Sequence, residues 1–177
     1  FLREETMEPI LINKCTYDKD VLTEMTRAVR KSSSIALSLC AVVLLGVSFA
    51  GFFAARNALL AYGSLFLSLF FFYLNLLIPF NSVKLTLKRY WELYRAPIVS
   101  ELRFFEESVL YVCPQSQTEK TFAYADLKTV LRTKNLYILR FGERTTLLAH
   151  KNGFEKGDGA ALEALLRQKA VIANIKF

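Results

Sequence analysis

Side chains able to do covalent or acid–base chemistry are few and scattered along these 177 residues. There is one histidine, His150, and there are three cysteines, Cys15, Cys40 and Cys113. Hydrolysis needs a nucleophile, a base and an orienting acid that the fold brings together. His150 with Cys113 is the one pairing to consider, and a lone histidine at a strand end reads as a surface or structural residue. The adjacent carboxylates Glu106 and Glu107 fall at a turn, where they are solvated. Gly157-Asp158-Gly159 reads as a helix entry, without a P-loop or dinucleotide fingerprint around it. Cys113-Pro114 ends a strand with a buried thiol. No CxxC or Cys/His spacing suggests a metal. The expectation is a protein that is not an enzyme, with no catalytic residues, metal, cofactor or small-molecule substrate.

Two basic groupings carry the functional candidates. Lys84, Lys88, Arg89, Tyr90, Trp91 and Arg95 form a basic, aromatic collar that would hold a membrane surface, since rings and snorkelling cations suit the headgroup zone. Lys128, Arg132, Lys134, Arg140 and Arg144 lie on neighbouring predicted strands. On one sheet face they would meet an acidic partner or a lipid headgroup; otherwise they are a solvated strand face. The net charge of +7 would permit nucleic-acid binding. The densest cations, however, adjoin a membrane span, so anionic lipid is expected and nucleic acid is not.

Residues 35–80 position everything else. They are almost entirely apolar, interrupted only at Arg56-Asn57. A bilayer core of about 30 Å needs about 20 apolar helical residues. The stretch therefore divides into spans at 35–55 and 58–80, joined too tightly for anything but an antiparallel hairpin. A buried hairpin in a soluble core would keep a polar face, whereas Leu65–Leu74 is apolar all round. Arg27, Arg30 and Lys31 on one flank, with Lys84, Lys88 and Arg89 on the other, outweigh Arg56 at the tip, so both termini are expected in the cytoplasm. The apolar run starts too late and runs too long for a cleavable signal; Met7 is a candidate start. Three widely spaced cysteines in a reducing compartment predict no disulfide.

Gly46, Ala50 and Ala54 on the first span, and Ser64, Ser68 and Asn75 on the second, are expected to be helix-packing faces. They would serve either the hairpin itself or a homo-oligomer, because small residues let helices approach closely in lipid. Pro79 and Asn81-Ser82 would end or kink the second span. Residues 81–97 then form a juxtamembrane amphipathic helix, or simply extend the span, until Pro97. Before the hairpin, residues 1–34 hold a short strand (Ile10–Tyr17) and a helix capped by Asp18 or Asp20. After it, residues 98–177 change period. Ile98–Phe104, Val109–Val112, Thr121–Tyr124, Lys128–Thr133, Leu136–Phe141 and Arg144–Ala149 read as an antiparallel meander. Lys151–Gly157 reads as loop with Phe154 as an apolar plug. A helix capped by Asp158, with Leu162, Leu165, Leu166 and Ala170 on one face, closes the set. The fold class is an α+β membrane protein.

Several of these stretches together resemble the bacterial YcxB-like family. They are Phe104-Phe105-Glu106-Glu107, then Phe122-Ala123-Tyr124-Ala125-Asp126-Leu127-Lys128-Thr129-Val130, then Leu136-Tyr137-Ile138-Leu139, and Phe154 before the last helix. The segment at Thr16–Asp20 is similar too, so nearly the whole chain is covered. His150-Lys151-Asn152-Gly153 departs from the pattern, which has a Pro-containing approach to the Phe. The resemblance implies a pleckstrin-homology-like (PH-like) sheet with a C-terminal helix, on the cytoplasmic side of a bacterial inner membrane, with no catalytic residues. The expected role is to display that domain for protein or anionic-lipid binding. The alternative is an accessory subunit of a transporter or a self-associating membrane scaffold.

Overall fold

The computed structural model describes residues 8–53, 56–142, 145–169 and 174–176. The chain folds as two compact units, Phe1–Met25 with Leu87–Phe177, and Thr26–Thr86. In sequence the second is an insertion into the first.

The larger unit is built on strands β1 (Leu11–Thr16), β2 (Val99–Phe104), β3 (Ser108–Cys113) and β4 (Thr118–Ala123), followed by β5 (Leu127–Arg132), β6 (Leu136–Phe141), β7 (Thr145–His150) and β8 (Phe154–Lys156). They form two sheets rather than one meander, in the orders β4-β3-β2-β1-β8 and β7-β6-β5-β9, where β9 is Asn174–Lys176. The first strand is interior: it pairs antiparallel with β2, from Leu11 opposite Phe104 to Thr16 opposite Val99, and with β8 on its other side. Alternation explains the choice, since Leu11, Asn13 and Cys15 are buried while Lys14 and Thr16 are exposed.

The stretch expected to be loop at Lys151–Gly157 contains β8. After β7 the chain turns sharply, with the Gly153 N–H donating to the His150 carbonyl at 2.9 Å. A Cβ at Gly153 would lie 2.0 Å from the Lys14 carbonyl oxygen, so only glycine lets the strand come this close to β1. Asp158 caps helix α3 (Gly159–Lys169), its Oδ1 accepting from the Ala161 N–H at 2.7 Å. Leu162 and Leu166 are fully buried in a core shared by both sheets, with Leu102, Phe104, Val130, Leu139 and Phe141. The chain does not close on that helix, because β9 follows and pairs parallel to β5. Ala170 lies outside the described residues.

Two helices connect β1 to β2, α1 (Lys19–Phe53) and α2 (Ala58–Tyr94). Asp18 caps the first, its Oδ1 accepting from the Val21 N–H at 2.8 Å, and Asn57 caps the second through the Leu60 N–H at 3.2 Å. Pro79 neither ends α2 nor separates residues 81–97 as a helix of their own. The helix ends instead at Arg95, which takes a left-handed φ of 50° just before Pro97. Both helices are long and apolar enough to cross a membrane, and only 17% and 11% of their most apolar 18-residue windows are buried. A core helix of a soluble protein would bury most of that surface.

Within Thr26–Thr86 the two helices meet along a seam of small and hydroxyl residues. Ser48 Oγ donates to the Ala61 carbonyl and Ser68 Oγ to the Ala41 carbonyl, each at 2.8 Å. Asn75 bonds across the seam: Oδ1 accepts from Ser34 Oγ at 2.8 Å, while Nδ2 donates to Ser38 Oγ at 2.9 Å and to the Ser34 carbonyl at 3.2 Å. Ser64 is buried in the seam and donates to the Leu60 carbonyl at 2.6 Å. Gly51, not Gly46, gives α1 its close approach: a Cβ there would stand 3.0 Å from the Ala61 nitrogen. Gly46 and Ala50 are exposed, so of the two roles expected for them the hairpin seam does not use them. At about 100° per residue each lies about 200° around the helix from Ser48. Ala54 is outside the described residues.

Candidate functional site

The larger unit carries a cleft of about 440 Å³ where the chain leaves β1 and where it returns to β2. The Tyr17 N–H donates to the Ile98 carbonyl at 2.8 Å, extending the strand pair by one step and bringing the two connections side by side. Tyr17, Leu87, Tyr90, Trp91, Pro97 and Ile98 supply an almost wholly apolar wall. Tyr17 is buried and stands edge-on to Tyr90, with ring centroids 6.4 Å apart at 84°. Burial pushes both phenols above the ordinary tyrosine pKa, so both stay neutral.

The chain's single tryptophan is the exception to that burial. Trp91 is 62% exposed at the mouth of the cleft. Around it Lys88 pairs with Glu92 at 3.6 Å, one turn along α2. An exposed pair of this kind contributes at most about 0.5 kcal/mol, so Lys88 can exchange this partner for another at little cost. Arg89 and Arg95 are exposed and have no acidic partner among the described residues. Five of the six collar residues thus belong to this unit, while Lys84 belongs to the other. Tyr17, Asp18 and Ile98 also line the cleft and were not among the expected site residues. The available signal was positional: they flank the two ends of one insertion between paired strands.

The second basic grouping does not form one face. In the β5–β6 ladder Thr129 stands opposite Arg140 and Arg132 opposite Tyr137. Residues 129 and 132 have opposite parity, so Arg140 and Arg132 project to opposite sides of the sheet. Arg132 is on the core side and is held by Glu163 of α3 at 3.2 Å. Lys128 sits at the bulge between Leu127 and Thr129. Lys134 lies in the β5–β6 turn, with its carbonyl accepting from Lys151 Nζ at 2.8 Å. Arg144 lies outside the described residues. Of the two expectations, the described residues do not form the single headgroup face: Lys128, Arg132 and Lys134 are exposed at separate places and Arg140 is half-buried.

Glu24 of α1 holds the same turn, its Oε1 accepting from the Asn135 N–H at 2.8 Å and its Oε2 from Asn135 Nδ2 at 3.0 Å. Its pKa is lowered: partial burial opposes ionisation, but the Asn135 N–H donors and the Lys151 charge outweigh it. Cys113 and His150 have separate partners. Cys113 Sγ donates to Gln115 Oε1 at 3.6 Å, and His150 Nδ1 accepts from the Asn152 N–H at 3.2 Å. No family model, curated protein or solved structure matches this chain.

Proposed function

We propose that this is a non-enzymatic bacterial inner-membrane protein of the YcxB-like type. Its helical hairpin spans the bilayer, its termini lie in the cytoplasm, and its two-sheet unit is a PH-like domain that binds an anionic lipid or an acidic protein segment. Several observations support the reading. Exposed apolar residues cover both long helices, basic residues flank them on the terminal side, and two sheets, antiparallel but for the β5–β9 pair, packed with a helix suit the PH-like description.

The observation that carries the binding role is the exposure of Trp91 beside an apolar cleft and three cations, Lys88, Arg89 and Arg95. An apolar group next to a negative charge fits that surface. Because Trp91 is the chain's single tryptophan, its fluorescence reports on the cleft directly. The full chain in nanodiscs of phosphatidylcholine, compared with nanodiscs containing phosphatidylglycerol, tests the lipid arm; acidic peptides added to the former test the protein arm. Blue-shifted, quencher-protected Trp91 emission in either arm, lost in Lys88→Glu/Arg89→Glu, supports the role. Emission that stays fully quenchable in both arms refutes it.

Self-association is the second reading. Gly46 and Ala50 face away from the hairpin seam, with nothing within 4 Å of a Cβ at Gly46. They leave a small-residue stripe of the kind through which helices approach in lipid.

A further inference from the structure

Within Thr26–Thr86 a second cleft, of about 230 Å³, opens between α1 and α2. Arg27, Arg30, Lys31 and Ser34 line it from α1, and Asn75 and Pro79 from α2. Residues 27, 30, 31 and 34 follow the spacing of one helix face, so three cations are crowded together where like charges repel. Glu24, one turn before Arg27, is taken up by Asn135, and from there to Glu92 the sequence contains no Asp or Glu. None of the three has an ion-pair partner among the described residues.

One atom is more specific. Arg30 Nη1 is buried without a hydrogen-bond partner among the described residues. A buried donor left unpaired is costly, and more so on a charged group. The facing amide does not serve it: Asn75 Oδ1 accepts from Ser34, Nδ2 is a donor, and no hydrogen bond joins Asn75 to Arg30 Nη1. What fits is an anion with several acceptor oxygens, which a guanidinium fork binds in bidentate fashion.

We propose that this cleft binds the phosphate of an anionic phospholipid. The cleft lies where the serine run 32–34 gives way to the apolar run beginning at Ile35, which is the headgroup level if the hairpin spans the bilayer; the inference rests on that reading. Beyond it α1 presents exposed Leu39, Val42 and Val43 and α2 exposed Phe72 and Leu76, surface for acyl chains that free phosphate would not use. Basic pockets between transmembrane helices take anionic headgroups in this manner.

The test uses the full chain in a non-ionic detergent, titrated with phosphatidylglycerol, phosphatidylcholine or inorganic phosphate and read by native mass spectrometry. Phosphatidylglycerol should be retained and phosphatidylcholine should not. Arg27→Gln/Arg30→Gln/Lys31→Gln should weaken retention about a hundredfold, at about fivefold per basic residue, while Arg56→Gln/Lys120→Gln should leave it unchanged. Equal retention by the triple variant, or of phosphatidylcholine, overturns the site. Displacement of the lipid by millimolar phosphate reassigns it to a free anion and overturns the lipid. Flotation of the wild-type chain with phosphatidylcholine vesicles separates the premises: a chain that stays in the aqueous fraction defeats the membrane reading, and one that floats without selective retention defeats only the site.

Discussion

The buried side-chain amide of Asn13 closes two hydrogen bonds on the main chain of His150, Nδ2 donating to its carbonyl at 2.8 Å and Oδ1 accepting from its N–H at 3.0 Å. Asn13 belongs to β1 of the five-stranded sheet and His150 to β7, an edge of the four-stranded one. One amide thus does for that edge what a further strand would do. Asn13→Ala should destabilise the unit by about 2–5 kcal/mol, the cost of two buried main-chain groups left unpaired. Asn13→Asp should be as damaging at neutral pH, since a carboxylate cannot donate to the carbonyl, and should recover part of the loss in acid. Denaturant titrations followed by circular dichroism at both pH values check this.

The 98–177 segment is not expected to fold alone. Removing residues 1–18 takes away an interior strand, exposes the facing edges of β2 and β8, and forfeits the burial of Leu11 and Cys15 with the Asn13 pair. That is about 5 kcal/mol, comparable with the whole stability of a typical domain. Limited proteolysis in detergent should cut the truncated chain rapidly after residue 98 while sparing the full one.

Gly51 and Gly46 should respond in opposite ways to the same substitution. Gly51→Leu drives a side chain into the Ala61 main chain, separates the helices and breaks the Ser48 bond, for a loss of about 1–3 kcal/mol. Gly46→Leu meets open space and should leave hairpin stability unchanged. On the self-association reading it should shift the monomer–oligomer equilibrium, which sedimentation in detergent measures.

Alkaline stability should carry the signature of a buried thiol. Burial, with the nearby Asp18 charge, pushes the Cys15 pKa from its ordinary 9.0 up to about 12. Between those values the unfolded chain releases a proton that the folded chain keeps. The unfolded state therefore binds fewer protons, and stability falls with rising pH by up to about 1.4 kcal/mol per unit. Below pH 9 this contribution is flat. Cys15→Val should flatten the decline between pH 9 and 12 relative to wild type, and Cys15 should resist maleimide at about pH 8 until the chain is unfolded.

What could be read from the residues was local or set by solvent. Apolar runs of about 20 residues, caps such as Asp18 and Asp158, and turns such as Lys134-Asn135 declare themselves within a few positions, because the forces behind them act over one or two turns of chain. The interior place of β1, the division into two sheets, and the strands β8 and β9 depend on partners up to about 140 residues away, which short alternating segments do not name. The same holds for the sites. The spacing of Gly46, Ala50 and Ala54 is as good a packing signal as Ser48 and Gly51, and only the rotation of α1 against α2 decided which face was used. The arginines at 27 and 30 were legible as charge; that one nitrogen is buried without an acceptor is a property of two helices packed together.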